Sequence, residues 1–198
     1  MQFTSYNYRM RDEWTQHRFS GGALALDLVN TVVRRSDPAR VFDRLASVAD
    51  ANQFAEASAV FRKEELGGNV RFWTLAAADF AKLLELRECI YASFGPCSHT
   101  AGAGVAALSH LLGASGRALA DAGPDSLLCQ MVFSWMRLDA PEKRARLRVC
   151  AACDWLFFDK SRNGSRIWCD MAVCGNRQKS RLNYNKKRRP PAQEAKAA

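Results

Sequence analysis

Four cysteines near the end of the chain have the residue type and the spacing of a metal site. Cys150 and Cys153 form a Cys-x2-Cys pair, and 15 residues later Cys169 and Cys174 form a Cys-x4-Cys pair. Two residues between cysteines allow one tight turn to direct both sulfurs at one ion, and four thiolates suit tetrahedral zinc. Because four protein ligands leave no coordination position for water, we predict one structural zinc and not a catalytic one.

Three other interpretations of the cysteines compete with structural zinc: a disulfide framework, metal-free buried thiols and a redox-sensing zinc centre. The chain has seven cysteines, an odd number, and its polar start lacks the apolar core of a signal peptide. We therefore expect a cytoplasmic protein, in which thiols stay reduced, and this disfavours disulfides. The basic surroundings keep the redox-sensing alternative open. The other three cysteines are predicted to be small buried hydrophobes: Cys89, Cys97 and Cys129. The three histidines lie too far upstream to be obvious ligands: His17, His99 and His110.

A basic run follows the last cysteine. The stretch "GNRQKSRLNYNKKRR", residues 175–189, has no acidic residue and predicts a helix. Arginines interleaved with Asn and Tyr suit phosphates and base edges, and the upstream turn adds polar groups. Leu182 is predicted to face inward. A solvated cationic face is the alternative. The predicted nucleic-acid-binding residues are Arg162, Asn163, Arg166, Asn176, Arg177, Lys179, Arg181, Asn183, Tyr184, Lys186, Lys187 and Arg188.

The net charge of +9 is confined to this end of the chain. Residues 142–189 hold 14 Lys and Arg against four Asp and Glu, whereas residues 1–141 hold 14 against 15. Such asymmetry indicates an acidic partner for one module only.

Two kinds of element must position these residues. Helical periodicity and helix-ending Gly or Pro predict helices over 21–35, 43–59, 72–94, 101–123, 126–138 and 142–149. Past Val149, "WLFFD" and "SRIWC" predict the two strands of a hairpin around an Asn-Gly turn. The predicted fold is mainly α: a helical N-terminal domain, then a small zinc-binding module with a zinc knuckle, a β-hairpin and a basic helix, treble-clef-like or zinc-ribbon-like. The predicted boundaries are a poorly ordered leader at 1–18, the helical domain at 19–140, a linker helix and finger at 141–189 and a disordered tail at 190–198.

The segment from Cys150 to Lys179, with "WLFFDKSRNGSRIWC" and "CGNR", resembles the CGNR-type zinc finger. The upstream "FSGGALALDLVNTVVRR" and "LLELRECIYASF" are similar to the ABATE domain of stress-induced transcription regulators. The resemblance covers about residues 19–189. It implies zinc on the four cysteines and DNA binding by the finger.

Four polar residues match recurrent positions of that helical domain: Asp27, Asn30, Thr31 and Arg87. They could bind a small molecule, pair with one another, or form a polar network that fixes helix packing.

The sequence thus predicts a zinc-containing DNA-binding protein, a transcription regulator with a helical sensing or assembly domain. No nucleophile and base arrangement and no Gly-rich phosphate loop appears, so we predict no enzyme. The alternatives are a small-molecule-binding or protein-interaction module with a purely structural finger, and an RNA binder. A small-molecule effector and a homodimer stay open as partners, and no membrane partner is expected.

Overall fold

A computed structural model of the protein describes residues 13–96 and 101–188. After a 3-10 turn at Gln16–Phe19, the described part of the chain contains seven α-helices and two small antiparallel sheets. The helices are α1 (Leu24–Val29), α2 (Val48–Phe61), α3 (Ala77–Phe94), α4 (Ala101–Leu119), α5 (Leu127–Leu138), α6 (Pro141–Arg144) and α7 (Asn176–Arg188). The strands are β1 (Val32–Val33), β2 (Phe42–Asp43), β3 (Leu147–Val149) and β4 (Leu156–Phe158).

Helix α1 lies at the centre of the helical region. All six of its residues are buried. A buried helix must satisfy its free N-terminal N–H groups from elsewhere in the fold. Here the Glu65 carboxylate accepts from the Leu24 N–H at 2.8 Å, and the Ser134 hydroxyl accepts from the Ala25 N–H at 2.9 Å. These contacts tie the start of α1 to the end of α2 and to α5.

The surrounding helices bury one continuous apolar cluster around α1. Two of them begin at serine caps, where Ser47 accepts from the Asp50 N–H and Ser126 accepts from the Cys129 N–H. Helix α3 ends at Phe94, directly before the Gly-Pro pair that predicts its end. The largest fully buried side chains of this cluster are Phe54, Leu24, Leu26, Leu28, Leu45, Leu83, Leu86, Ile90, Leu111, Leu127 and Met131.

The zinc module has a second, much smaller buried cluster built around three of the cysteines: Cys150, Trp155, Phe157, Cys169 and Cys174. Strands β3 and β4 pair with Val149 opposite Leu156, so the connection between them carries Cys150 and Cys153. A π-helical turn at Met171–Gly175 then leads directly into α7. This matches the treble-clef-like alternative, since the second cysteine pair leads into a helix.

The predicted fold class is therefore confirmed: a mostly helical N-terminal region, then a β-hairpin with a four-cysteine cluster and a helix. The position of the hairpin is a correction. Strand β4 pairs upstream with β3, and residues 165–169 form no strand. The buried Asp159 carboxylate accepts from the Ser161 and Arg166 N–H groups at 2.8 and 2.9 Å. These bonds hold the segment that contains the Asn-Gly pair as a loop and not as the turn of a hairpin.

Several helix boundaries also differ from prediction. Helix α3 begins at Ala77 and not at residue 72, and α4 ends at Leu119 and not at residue 123. Helix α1 ends at Val29, because the chain continues into β1. Helix α2 begins at Val48, because Asp43 belongs to β2. The linker helix predicted from Pro141 ends at Arg144, and Leu147 already belongs to a strand.

Parts of the predicted terminal segments lie outside the described residues. These are residues 1–12 of the leader and 190–198, the whole tail. Within the described end of the leader, residues 16–18 belong to the 3-10 turn, and Arg18 is buried. Among the helices that the structure describes, none combines the length and apolar character needed to cross a bilayer.

Candidate metal centre and basic helix

The structure brings all four predicted ligands together. Their sulfur atoms lie within 4.8 Å of one another. The sulfur of Cys153 lies 3.6 Å from that of Cys169 and 3.7 Å from that of Cys174, and the last two are 3.7 Å apart. A zinc tetrahedron with bonds of roughly 2.3 Å has edges of about 3.8 Å. The cluster therefore fits one zinc, as predicted.

The first cysteine pair sits in a tight turn that local hydrogen bonds hold. The Cys150 N–H donates to the Trp155 carbonyl at 2.9 Å, and the Asp154 N–H donates to the Cys150 carbonyl at 3.0 Å. Asp154 has a φ of 62°, in the left-handed region that a non-glycine residue adopts at a cost. This turn reverses the chain so that β4 can pair with β3 while both sulfurs face the same point.

The second pair is positioned by Asp170. Its carboxylate accepts from the Ala172 N–H at 2.8 Å and caps the π-helical turn that carries Cys174. Gly175 packs closely against this turn, since a Cβ there would lie 3.3 Å from the Trp168 ring and would displace the sulfur of the exposed Met171 side chain. Cys174 thus lies just before the N-terminus of α7, where the helix dipole favours a thiolate.

Hydrogen bonds among the four sulfurs dominate their pKa values. A hydrogen bond with Cys153 lowers the pKa of Cys150 to about 6, and one with Cys150 lowers the pKa of Cys174. Hydrogen bonds with Cys150 raise the pKa values of Cys153 and Cys169. Four thiolates this close repel one another, so complete ionisation requires a cation between them, which is what Zn²⁺ supplies.

His17 is a residue near the centre that sequence reasoning missed. Its Nδ1 lies 3.0 Å from a carboxylate oxygen of Asp170, and its ring stacks on Trp155 with centroids 5.1 Å apart. A hydrogen bond with Cys174 raises the pKa of His17, and Asp170 adds to this effect. No local pattern marks His17, since 153 residues separate it from Asp170.

Helix α7 projects its basic residues into solvent. Of the predicted nucleic-acid-binding residues on this helix, Arg177, Lys179, Arg181, Asn183 and Tyr184 are exposed. The predicted inward anchor is wrong: Leu182 is 61% exposed. The main described contacts of the helix are with the π-helical turn at its start. Leu182 lies beyond this turn and therefore stays exposed. The side chains of Lys186, Lys187 and Arg188 lie outside the described part.

The predicted nucleic-acid residues near the hairpin turn divide into two groups. Arg162 and Asn163 are exposed. Arg166 instead donates to the carbonyls of Trp168 and Cys169, at 3.2 and 2.5 Å, so its guanidinium supports the ligand loop. Asn176 is exposed, and its amide donates to the Ala172 carbonyl at 3.0 Å.

The four polar residues predicted as a ligand site are buried and take part in three separate sets of contacts. Asp27 does not pair with Arg87, the partner considered from the sequence. It accepts from the Gly21 N–H at 3.0 Å and from the Arg62 guanidinium. Burial raises the pKa of Asp27 to about 6, although Arg62 opposes the shift.

Arg87 pairs with the Asp43 carboxylate at 2.6 and 2.7 Å and donates to the Thr31 hydroxyl at 3.1 Å. Asn30 reaches the zinc module, where its amide donates to the Leu156 carbonyl at 2.8 Å and accepts from the Leu156 N–H at 2.9 Å. These contacts correspond to the polar-network interpretation.

Of the remaining cysteines, Cys129 is buried and Cys89 is half-buried, and burial raises the pKa of both thiols. Cys97 lies outside the described residues.

Two families match the chain. Residues 146–187 match the family described as "CGNR zinc finger". Residues 22–152, more than half of the chain, match the family described as "ABATE: Putative stress-induced transcription regulator". Both resemblances seen in the sequence motifs are thereby confirmed. The comparison with curated proteins gives no significant match.

Proposed function

The chain belongs to the ABATE family of stress-induced transcription regulators and ends in a CGNR zinc finger, and we propose that it binds duplex DNA through α7. The observation that carries the proposal is the exposure of α7. All its described side chains are exposed except Gln178, and its sequence contains no acidic residue. A basic helix whose described side chains are almost all exposed is available to enter a groove or to follow phosphates.

The zinc centre supports this role by fixing where the helix starts. Cys174 is a candidate ligand directly before α7, and the Asp170 cap holds the turn that carries it. When bound, zinc supplies the crosslink between the hairpin and the helix. Arg177 then stands at the anchored end of the helix, so its guanidinium is preorganised for a phosphate or a base edge. Arg162 and Asn163 can add contacts from the loop after β4.

The test is selection of bound duplexes from a random DNA pool, followed by binding measurements at several salt concentrations. If about five phosphates are engaged, log affinity falls with log salt at a slope of about −4 to −5. Arg177→Ala with Arg181→Ala should weaken binding strongly while zinc content and circular dichroism stay unchanged. The matched control removes two exposed arginines from the helical region, Arg40→Ala with Arg71→Ala, and should bind like the parent.

Two outcomes would overturn the proposal. One is binding that does not respond to salt, and the other is equal loss of affinity in both double variants. Competition between duplex DNA and single-stranded RNA of the same length tests the RNA alternative, since preference for the RNA would replace duplex DNA as the partner.

A further inference from the structure

A cleft of about 630 Å³ opens where the helical region meets the zinc module. One wall is formed by Gly22 and Ala23 and by the end of α2 with the residues that follow it. A second wall comes from the end of α5 and from Lys143, and the zinc module contributes Phe158 and Lys160. Its volume lies within the range of small-molecule sites, about 300–1,000 Å³.

The cleft carries an excess of positive charge. Arg62 is neutralised by Asp27, and Glu65 accepts from the Leu24 N–H and the Ser134 hydroxyl. Four cations of the lining have no acidic partner among the described residues, against two acids without a cationic partner there, Glu64 and Glu65, so the positive charges are in excess. The four cations are Lys63, Arg137, Lys143 and Lys160.

Two of these cations are fixed by backbone groups. The Lys143 ammonium donates to the Arg137 carbonyl at 2.7 Å, and the Arg137 guanidinium donates to the Glu65 carbonyl at 3.3 Å. Lys63 and Lys160 are exposed on the helical and the module side. A concave surface lined by cations focuses the field and attracts an anion.

The cleft also presents an apolar surface. Leu138 is buried, Phe61 and Phe158 are partly buried, and Val60 is 70% exposed. An inorganic anion would leave this surface in water, whereas an organic acid with a ring or a chain would cover it. The chemistry therefore favours an organic anion with an apolar body.

The cleft spans the contact between the two parts of the chain. The Phe158 N–H donates to the Gly21 carbonyl at 2.7 Å. Gly22, with a φ of 86°, approaches so closely that a Cβ there would lie 3.2 Å from the Phe158 Cβ. An occupant that touches both Phe158 and the helical wall would stabilise this junction.

We propose that this cleft is an effector site for an apolar organic acid, and that the occupant strengthens the junction between the helical region and the zinc module. The site differs from the buried Asp27, Asn30, Thr31 and Arg87. The proposal does not depend on DNA binding, because the occupant is recognised by the cleft alone.

The test is calorimetric titration of the zinc-loaded full chain, without DNA, using 2-naphthoate as the anionic probe and 2-naphthalenemethanol as its neutral counterpart. We expect 2-naphthoate to bind and the alcohol to bind more weakly. Lys63→Glu and Lys160→Glu should each weaken 2-naphthoate binding by about tenfold, which corresponds to about 1.4 kcal/mol. Lys179→Glu is the matched control, since it makes the same charge change on α7, outside the cleft, and should bind the probe like the parent.

A second readout tests the coupling. Bound 2-naphthoate should slow zinc release to a chelator in the parent and not in Lys160→Glu. Absence of binding at millimolar probe, equal weakening in Lys179→Glu, or zinc release that is unaffected by bound probe would overturn the proposal.

Discussion

The helical region and the zinc module are stabilised in different ways. The helical region buries a continuous apolar cluster in which α1 is enclosed by other helices. The module's own apolar cluster has five buried residues, and three of them are candidate metal ligands. A core of that size cannot offset the conformational entropy of about 40 residues, so the metal centre must supply the difference. The helical region is therefore stabilised by hydrophobic burial, and the module by metal coordination.

Zinc removal should give the largest contrast between the two regions. Apparent zinc-binding free energies in small zinc-finger peptides are about 10–16 kcal/mol, so a chelator should unfold the module. The helical region should keep its structure, because its buried cluster contains no cysteine of the centre and takes only Leu156 of its fully buried members from the module. Hydrogen exchange after chelation should show lost protection over residues 149–175 and retained protection in α1 and α3.

A matched pair of cysteine variants checks the same contrast. Cys153→Ser should lower zinc affinity by orders of magnitude, whereas Cys89→Ser, at an equally half-buried site outside the cluster, should leave zinc content unchanged. Loss of protection in α1 and α3 on chelation would contradict the separation of the two regions.

Truncation of a core side chain in the helical region should destabilise that region and leave the zinc centre unchanged. Phe54 is fully buried and contacts the rings of Trp14 and Phe19, at centroid distances of 5.1 and 5.7 Å. Phe54→Ala should therefore lower the free energy of unfolding by about 3–5 kcal/mol, measured by urea denaturation. Zinc content per folded molecule should not change.

Phe133→Ala on α5 is the control, since Phe133 is 43% exposed and should cost less than about 1 kcal/mol. Equal destabilisation by the two variants would show that burial does not govern this region.

The same difference explains what the sequence could predict. The helices were predictable because their apolar periodicity is local, and the cysteine ligands were predictable because their spacing has few alternatives. The partner of β4 was not, because Asn163 and Gly164 give a strong local turn signal for a downstream strand. Instead, the turn at Cys150–Cys153 brings β4 back alongside β3. The Asp159 carboxylate accepts from the Ser161 and Arg166 N–H groups, and these bonds hold the downstream segment as a loop.

Long-range polar contacts also could not be predicted from a single sequence. Arg87 was the cationic partner considered for Asp27 from the sequence, but the structure pairs Asp27 with Arg62, 35 residues away. His17 contacts Asp170 across nearly the whole chain. Neither pairing leaves a periodicity or a spacing that could be recognised beforehand.

The junction between the regions can be weakened at Asn30. Asn30→Ala would remove both hydrogen bonds to the Leu156 backbone and leave buried polar groups without a partner, at a cost of about 2 kcal/mol. We expect faster zinc release to a chelator and a lower urea midpoint.

The control for Asn30 is Asn52→Ala, which loses a bond to the Leu75 N–H within the helical region. It should lower the urea midpoint and leave the rate of zinc release unchanged. Faster zinc release from Asn52→Ala would mean that general destabilisation, and not the junction, controls metal loss.

Acid should act on the two regions with opposite signs, and this is the smallest of the expected effects. The folded pKa of Asp27, about 6, lies above the unfolded value of about 3.9, so the folded state binds more protons between those values. The stability that this proton contributes is fully present below pH 4 and is lost as the pH rises through 6, by roughly 1 kcal/mol between pH 5 and 7.

Thiolate ligands respond in the other direction, because protons compete with zinc. Urea denaturation of the parent and of Asp27→Asn should therefore differ by an amount that shrinks with acidification, while zinc release accelerates equally in both. A constant difference across pH 5–7 would show that Asp27 stays ionised beside Arg62 over this range.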